Sequence, residues 1–235
     1  MNASVDGRYN PDDQDARCVA LAQDRRGHGQ STFAWYLARA LVESGLRVLV
    51  VDLTGRPARL NALAGSGAIR NLGTWTPAIP HPPQLAALIR SARQQTRGRV
   101  DVLLLDIDGS MLESGGGFTA GVDYVLALVD PTENGQRAAD HLAEQLGDAP
   151  PPQGQLGVVF CRANETEAEH FPQQTEHRHL PIAGYFPADY LLAGDDVGQR
   201  GGHPIVPHEG YLQAVARLSR MIKRLARLRR ITPAD

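Results

Sequence analysis

The chain has little of several things, and each shortage removes a class of function. It has only two cysteines in 235 residues, Cys18 and Cys161, each beside an apolar run. They read as reduced core residues of a cytosolic protein, not as a disulfide framework or a metal site. No apolar run approaches the ~20 residues that span a bilayer. The first residues, Met1-Asn2-Ala3-Ser4-Val5-Asp6, lack the basic-then-apolar pattern of a secretory signal. The expected location is therefore cytoplasmic, with any membrane contact peripheral. A net charge of −2 gives no global reason to expect nucleic acid as a partner.

The 42% apolar and 21% charged composition suits an ordinary globular core, and the length suits one large α/β domain. Residues 1–16 are polar and acidic and read as a flexible tail; residues 17–230 read as a single domain. Apolar runs that read as strands fall at Cys18–Ala22, Arg47–Asp52, Val100–Asp106, Val122–Val129, Leu156–Cys161 and Pro181–Phe186. Between them lie helical patterns: one carrying Phe33, Tyr36, Leu37, Ala40 and Leu41 and stopping at Ser44-Gly45, a short one opened by Pro57, then Pro83–Arg93, Arg137–Leu146, one from about Tyr190, and one from Tyr211 to Arg230. Residues 65–82 show no period and read as loop, as does the Gly-rich stretch 113–117. Strand and helix alternate, so the expected fold is α/β: a doubly wound, mostly parallel sheet covered on both faces.

The stretch Val19–Thr32 carries the chemistry. A strand runs into a Gly-containing turn, Asp24-Arg25-Arg26-Gly27-His28-Gly29-Gln30-Ser31-Thr32, and a helix opens at once. This is the layout of a phosphate-binding P-loop. There, backbone N–H groups at a helix N-terminus face the phosphates, glycines permit the close approach, a lysine reaches the β/γ-phosphates and a hydroxyl holds Mg²⁺. Here Gly27, Gly29, Ser31 and Thr32 supply glycines and hydroxyls, but Asp24 takes the first glycine's place and Gln30 the lysine's. Two further strands end in acids, Asp52 and Asp106, where they face such a site at the sheet's carboxyl edge. The nucleotide-binding candidates are thus Arg25, Gly27, Gly29, Gln30, Ser31 and Thr32. Ser31, Asp52 and Asp106 are the Mg²⁺ candidates if ATP binds, with the two acids as vestigial catalytic groups. Gln30 brings no charge, and a charge-assisted hydrogen bond contributes about 1.5–3 kcal/mol. Its loss weakens nucleotide binding by about 10- to 150-fold. ATP and Mg²⁺ are therefore expected to bind weakly, or not at all, with little or no hydrolysis.

At these residues the chain resembles the MinD/ParA branch of P-loop ATPases, including the cytoplasmic bacterial tyrosine kinases (BY-kinases) of polysaccharide export. Arg25–Thr32 is similar to that branch's K-G-G-x-G-K-S/T-T, with Arg25 on the signature lysine that reaches a dimer partner's nucleotide. Asp52-Leu53-Thr54-Gly55-Arg56 resembles the BY-kinase D-x-D-x-R, with Thr54 for the second acid. Leu103-Leu104-Leu105-Asp106 resembles a Walker B strand, although Asp108 stands where proline is usual. Gly157–Arg162 resembles the strand whose asparagine reads adenine, with Cys161 in its place. Gly184–Asp189 and Gly202–Val206 are similar to later family segments, so the resemblance covers about residues 17–225. It implies a P-loop NTPase fold with an eroded nucleotide site. It also implies an accessory role in envelope polysaccharide synthesis or export, an inner-membrane polysaccharide co-polymerase as partner, and a homodimer. The tyrosine-rich tail of BY-kinases is missing, since no tyrosine follows Tyr211. The alternative is a slow ATPase that positions a machine such as a cellulose synthase, pilus, flagellum or chromosome through a nucleotide-switched dimer.

The last helix, 211–230, has an apolar stripe (Leu218, Met221, Ile222, Leu225, Leu228) among Arg217, Arg220, Lys223, Arg224, Arg227, Arg229 and Arg230. It reads either as a core helix with solvated arginines or as a membrane or partner surface centred on Arg220, Lys223, Arg224 and Arg227. Non-specific DNA binding through these arginines is a weaker reading. His177-Arg178-His179, near His170, has no metal-ligand spacing and reads as a solvated loop.

Overall fold

A computed structural model describes residues 15–23, 29–54, 60, 69–77, 82–108, 121–146, 155–161, 163, 182–187 and 207–228. The strands are β1 (Arg17–Gln23), β2 (Val48–Leu53), β3 (Leu72–Trp75), β4 (Val102–Ile107), β5 (Tyr124–Val129), β6 (Gln155–Cys161) and β7 (Ile182–Phe186). The helices are α1 (Gln30–Glu43), α2 (Pro82–Thr96), α3 (Glu133–Leu146) and α4 (Glu209–Leu228). The strands form one seven-stranded sheet in the order β3-β2-β4-β1-β5-β6-β7, and every pairing is parallel.

The reading of 65–82 as loop needs correction. It contains β3, which pairs with β2 from Val48↔Leu72 to Val51↔Trp75. The strand is four residues long, includes Gly73 and lies at the sheet's edge, so its only cue was Leu, Thr and Trp in a Gly/Pro-rich setting. Helix α3 starts four residues earlier than its apolar pattern. Thr132 caps it, its hydroxyl accepting the Gly135 N–H at 3.2 Å. Gly135 is required there, because a Cβ would lie 2.1 Å from the Asp130 carbonyl oxygen. The helix expected after Pro57 is described only at Leu60. The loop 113–117, the helix from Tyr190 and the His-rich segment 163–180, apart from Ala163, lie outside the described residues. So does the tail, except Asp15, which ion-pairs with Arg97 at 3.5 Å, and the buried Ala16.

Alternation along the central strands divides the core into two layers. Cys18, Ala20 and Ala22 of β1, with Leu103, Leu105 and Val125, pack with Leu85, Ile89 and Ala92 of α2 and Ala139 of α3. Val19, Leu21, Val48, Val50, Val102, Leu104, Leu126 and Leu128 pack under α1 and α4. Edge-on rings tie that second layer together: Phe33 of α1 meets Phe186 of β7 at 4.7 Å, and Tyr211 of α4 meets Phe186 at 5.6 Å and Tyr36 at 6.0 Å. Helix α4 therefore packs its apolar stripe inward. Tyr211, Val215, Leu218, Ile222 and Ala226 are buried, while Arg217, Arg220 and Arg224 are exposed. Lys223 Nζ donates to the Ser44 carbonyl oxygen at the end of α1. The Arg227 side chain lies outside the described residues. Among the described residues, no helix is long and apolar enough to cross a membrane.

The amino edge of the sheet is closed by charge. Asp123 accepts from Arg17 at 3.0 Å, from the Cys18 N–H at 2.8 Å, and pairs with Arg93 at 3.3 Å. Arg17 also donates to the Leu225 carbonyl oxygen of α4 at 3.4 Å. This cluster anchors β1 and the last helix, and it leaves the carboxyl edge to function.

Candidate functional site at the carboxyl edge

Strand β1 is central, and the strand order reverses around it. Consecutive strands β1 and β2 are separated by β4, while β5 pairs on β1's other side. Such a switch point opens a crevice beyond the carboxyl ends of the strands, where β1 ends and α1 begins. Gly29, at φ 76° and ψ 21°, makes the left-handed turn into α1, and its carbonyl oxygen accepts the Phe33 N–H at 2.8 Å. A side chain finds that conformation strained, so the glycine is required by the turn.

Gln30 is the first residue of α1 and is 3% exposed. Its Nε2 donates to the Leu21 carbonyl oxygen at 2.8 Å and to the Ile107 carbonyl oxygen at 2.9 Å. Main-chain carbonyls only accept, so the orientation of the amide is unambiguous. Both amide protons are committed to the ends of β1 and β4. The free atom is Oε1, a buried acceptor with no hydrogen-bond partner among the described residues. A lysine in a P-loop presents positive charge to phosphate. Gln30 presents none, and its remaining polar atom has the wrong sign for an anion.

The two acids lie side by side. Asp52 of β2 and Asp106 of β4 are register partners, and Leu21 pairs Asp106 on the other side. Asp52 continues the face of Val48 and Val50, and Asp106 that of Val102 and Leu104, so both lie on the α1 side. They are 2% and 0% exposed. Thr54 holds Asp52 with both its N–H (2.9 Å) and its hydroxyl (2.7 Å) on Oδ1. Among the described residues, Oδ2 is left buried without a hydrogen-bond partner, as are Thr32 Oγ1 of α1 and Gln23 Oε1 at the end of β1. Ser31 is half-buried on the first turn. Arg25 and Gly27 lie outside the described residues. Cys161, at the end of β6, is buried, with Sγ 4.0 Å from the Val159 carbonyl oxygen.

No protein-family model matches the chain, and no curated protein matches its sequence. Solved structures do match. A ParA family ATPase from Chlorobium tepidum superposes with a TM-score of 0.64 at 16% identity, over 86% of this chain and 98% of its own. MinD in the MinC:MinD cell division complex of Aquifex aeolicus gives 0.65 at 17% identity, over 94% and 98%. The septum site-determining protein MinD of Pyrococcus horikoshii, complexed with Mg-ADP, gives 0.64 at 17% identity, over 91% and 98%.

The chain has the MinD/ParA fold.

Identities this low carry the fold and not the chemistry, so the nucleotide that the fold implies has to be tested against this site. The half that would meet Mg²⁺ fits: oxygen ligands are present, and Asp52 Oδ2 makes no hydrogen bond among the described residues. The half that would meet the β/γ-phosphates does not fit at position 30. Sequence reasoning found Gln30, Asp52, Asp106, Ser31 and Thr32, and the structure brings the first three and Thr32 to one edge. It missed Gln23, which as the last residue of an apolar strand carried no motif to mark it. Among the described residues no group of three or more His, Cys, Asp or Glu converges for a metal.

Proposed function

We propose that this protein is a catalytically degenerate MinD/ParA-like protein that acts by binding, as a regulatory or scaffolding factor, and not by turning over ATP. One observation carries the reading: the two amide protons of Gln30 are spent on Leu21 and Ile107, at the place where a P-loop lysine meets phosphate. Thr54 for an acid and Cys161 for the adenine-reading asparagine point the same way. The resemblance to BY-kinases suggests the setting: synthesis or export of an envelope polysaccharide, with an inner-membrane co-polymerase as partner. A scaffold of this kind works through surface, and the exposed Arg217, Arg220 and Arg224 of α4 suit an acidic partner or an anionic membrane face. MinD in a complex with MinC is a precedent for this fold serving as a docking platform. The test is calorimetric titration of the purified protein with ATP and Mg²⁺. Absence of heat and of thermal stabilisation supports the reading; tight binding with dimerisation refutes it.

A second reading has its own support. Ser31, Asp52 and Asp106 are the residues the sequence pattern offers to Mg²⁺, and a MinD of this fold is known with Mg-ADP. On that reading the protein is a slow ATPase whose nucleotide-bound dimer positions a cellular machine. Mg²⁺-dependent hydrolysis abolished by Asp106→Ala would establish it.

A further inference from the structure

The amino edge of the sheet carries an imbalance of charge that the carboxyl edge does not use. Residues 53–100 contain seven arginines and no aspartate or glutamate. They supply β3, α2 and the turn that leads into β4. Hydrogen bonds gather part of that charge in one place. The Asn71 carbonyl oxygen accepts the Val48 N–H at 2.8 Å, which sets Arg70, ahead of β3, beside Arg47, ahead of β2. Arg47 Nη1 donates to the Gly98 carbonyl oxygen at 2.6 Å, which brings in Arg97 and Arg99 on either side of that glycine. Arg70, Arg97 and Arg99 are exposed. The acids nearby are engaged: Asp101 by Arg47 at 2.9 Å, Asp123 by Arg17 and Arg93, and Glu43 by Arg39 at 4.0 Å. Among the described residues, Arg70 and Arg99 make no ion pair.

The opposite imbalance stands directly before β1. Residues 1–16 hold four aspartates and one arginine. Asp15, two residues ahead of β1, has Oδ1 3.5 Å from Arg97 Nε. The acidic segment therefore enters the fold at the basic edge. A chain spans at most ~3.6 Å per residue, so Asp12 and Asp13 stay within about 11 Å of Asp15. A single exposed pair such as Asp15–Arg97 holds little by itself. Several acids on one tether act together, because the first contact puts the others at a high effective concentration. The anion that the structure places on the exposed arginines is a peptide carboxylate, which favours a peptide over a lipid headgroup or a nucleic-acid phosphate as occupant.

We propose that the heads of β3, β2 and β4 form a binding surface for an acidic peptide segment, with Arg70, Arg97 and Arg99 as its contacts, and that its occupant is this chain's own Asp12-Asp13-Gln14-Asp15. The surface is then covered by a tethered competitor, and an acidic segment of another protein gains it only by displacing Asp12–Asp15. The surface lies at the opposite edge from Gln30, so it stands or falls apart from the nucleotide site.

The test is titration of the full chain with a fluorescein-labelled deca-glutamate peptide at low ionic strength, followed by fluorescence anisotropy. One variant neutralises the segment: Asp12→Asn with Asp13→Asn and Asp15→Asn. A second adds Arg70→Glu and Arg99→Glu to the first. All these positions are exposed or outside the described residues, and equal melting temperatures confirm that the fold is kept. Expected are weak binding by the natural protein, about tenfold tighter binding once the segment is neutral, and loss of that gain in the second variant. The gain also disappears at high salt. Unchanged affinity on neutralising the segment overturns the proposal, as does a failure of every variant to bind the peptide. A gain that survives Arg70→Glu with Arg99→Glu overturns it too, because the arginines being covered then lie elsewhere. Anionic phospholipid vesicles, titrated in parallel, that bind regardless of the segment's charge while the peptide does not bind would make the edge a membrane contact instead.

Discussion

The Nε2 of Gln30 lies 2.9 Å from the Ile107 carbonyl oxygen, so the side chain at the position where the sequence pattern expects a lysine binds the sheet. With its second bond, to Leu21, it staples the first turn of α1 to two adjacent central strands. Gln30→Leu keeps the size and removes both bonds. It is expected to lower unfolding free energy by about 1–3 kcal/mol in urea denaturation. A loss near zero would mean that the staple is not formed.

Asp123 is the counterpart at the other edge. It neutralises Arg17 and Arg93 and accepts the Cys18 N–H, all within a poorly exposed cluster. Asp123→Ala leaves two part-buried guanidinium groups without their carboxylate, and is expected to cost about 3–5 kcal/mol. Asp123→Asn keeps an acceptor for Cys18 and should cost less. Equal losses for the two variants would show that the charge, and not the hydrogen bond, is what matters.

Cys18 sits beside that cluster. Burial pushes its thiol pKa up; Arg93 pulls it down by less, and Asp123 raises it further. The folded pKa exceeds the unfolded one, so the thiol's contribution to stability is complete below about pH 8.5 and is withdrawn as the pH climbs from there. Alkylation of Cys18 by iodoacetamide at pH 8 should therefore proceed only through unfolding and should accelerate with urea. Rapid labelling of the native protein at this residue would contradict its placement.

The fold was legible because its central strands are apolar on both faces and its helices repeat every three to four residues. Val48–Val51 and Val102–Leu105, short apolar runs bounded by polar residues, read as buried strands. β3 was not legible: four residues with a glycine at a sheet edge leave almost no pattern. In the last helix the stripe was plain, but its destination was not. The ring contacts of Tyr211 with Phe186 and Tyr36 place it inward, and such long-range pairs leave no trace in spacing. At the site, the missing lysine could be read directly. What Gln30 does instead could not, since the partners are main-chain atoms 9 and 77 residues away.

If α4 meets an anionic surface, its exposed arginines carry the contact, because the apolar stripe is occupied by the core. Arg217→Glu with Arg220→Glu and Arg224→Glu should then abolish co-sedimentation with anionic vesicles without lowering the melting temperature. Unchanged vesicle binding would remove α4 from that role.

If Gln30 has taken the nucleotide site out of use, restoring the lysine brings nucleotide binding back. Calorimetric titration with ATP and Mg²⁺, run on the natural protein and on Gln30→Lys, tests it most directly. No measurable binding is expected for the natural protein, and measurable binding for Gln30→Lys, whose lysine restores a charge-assisted hydrogen bond to phosphate. Tight ATP binding by the natural protein, unimproved by Gln30→Lys, would contradict it.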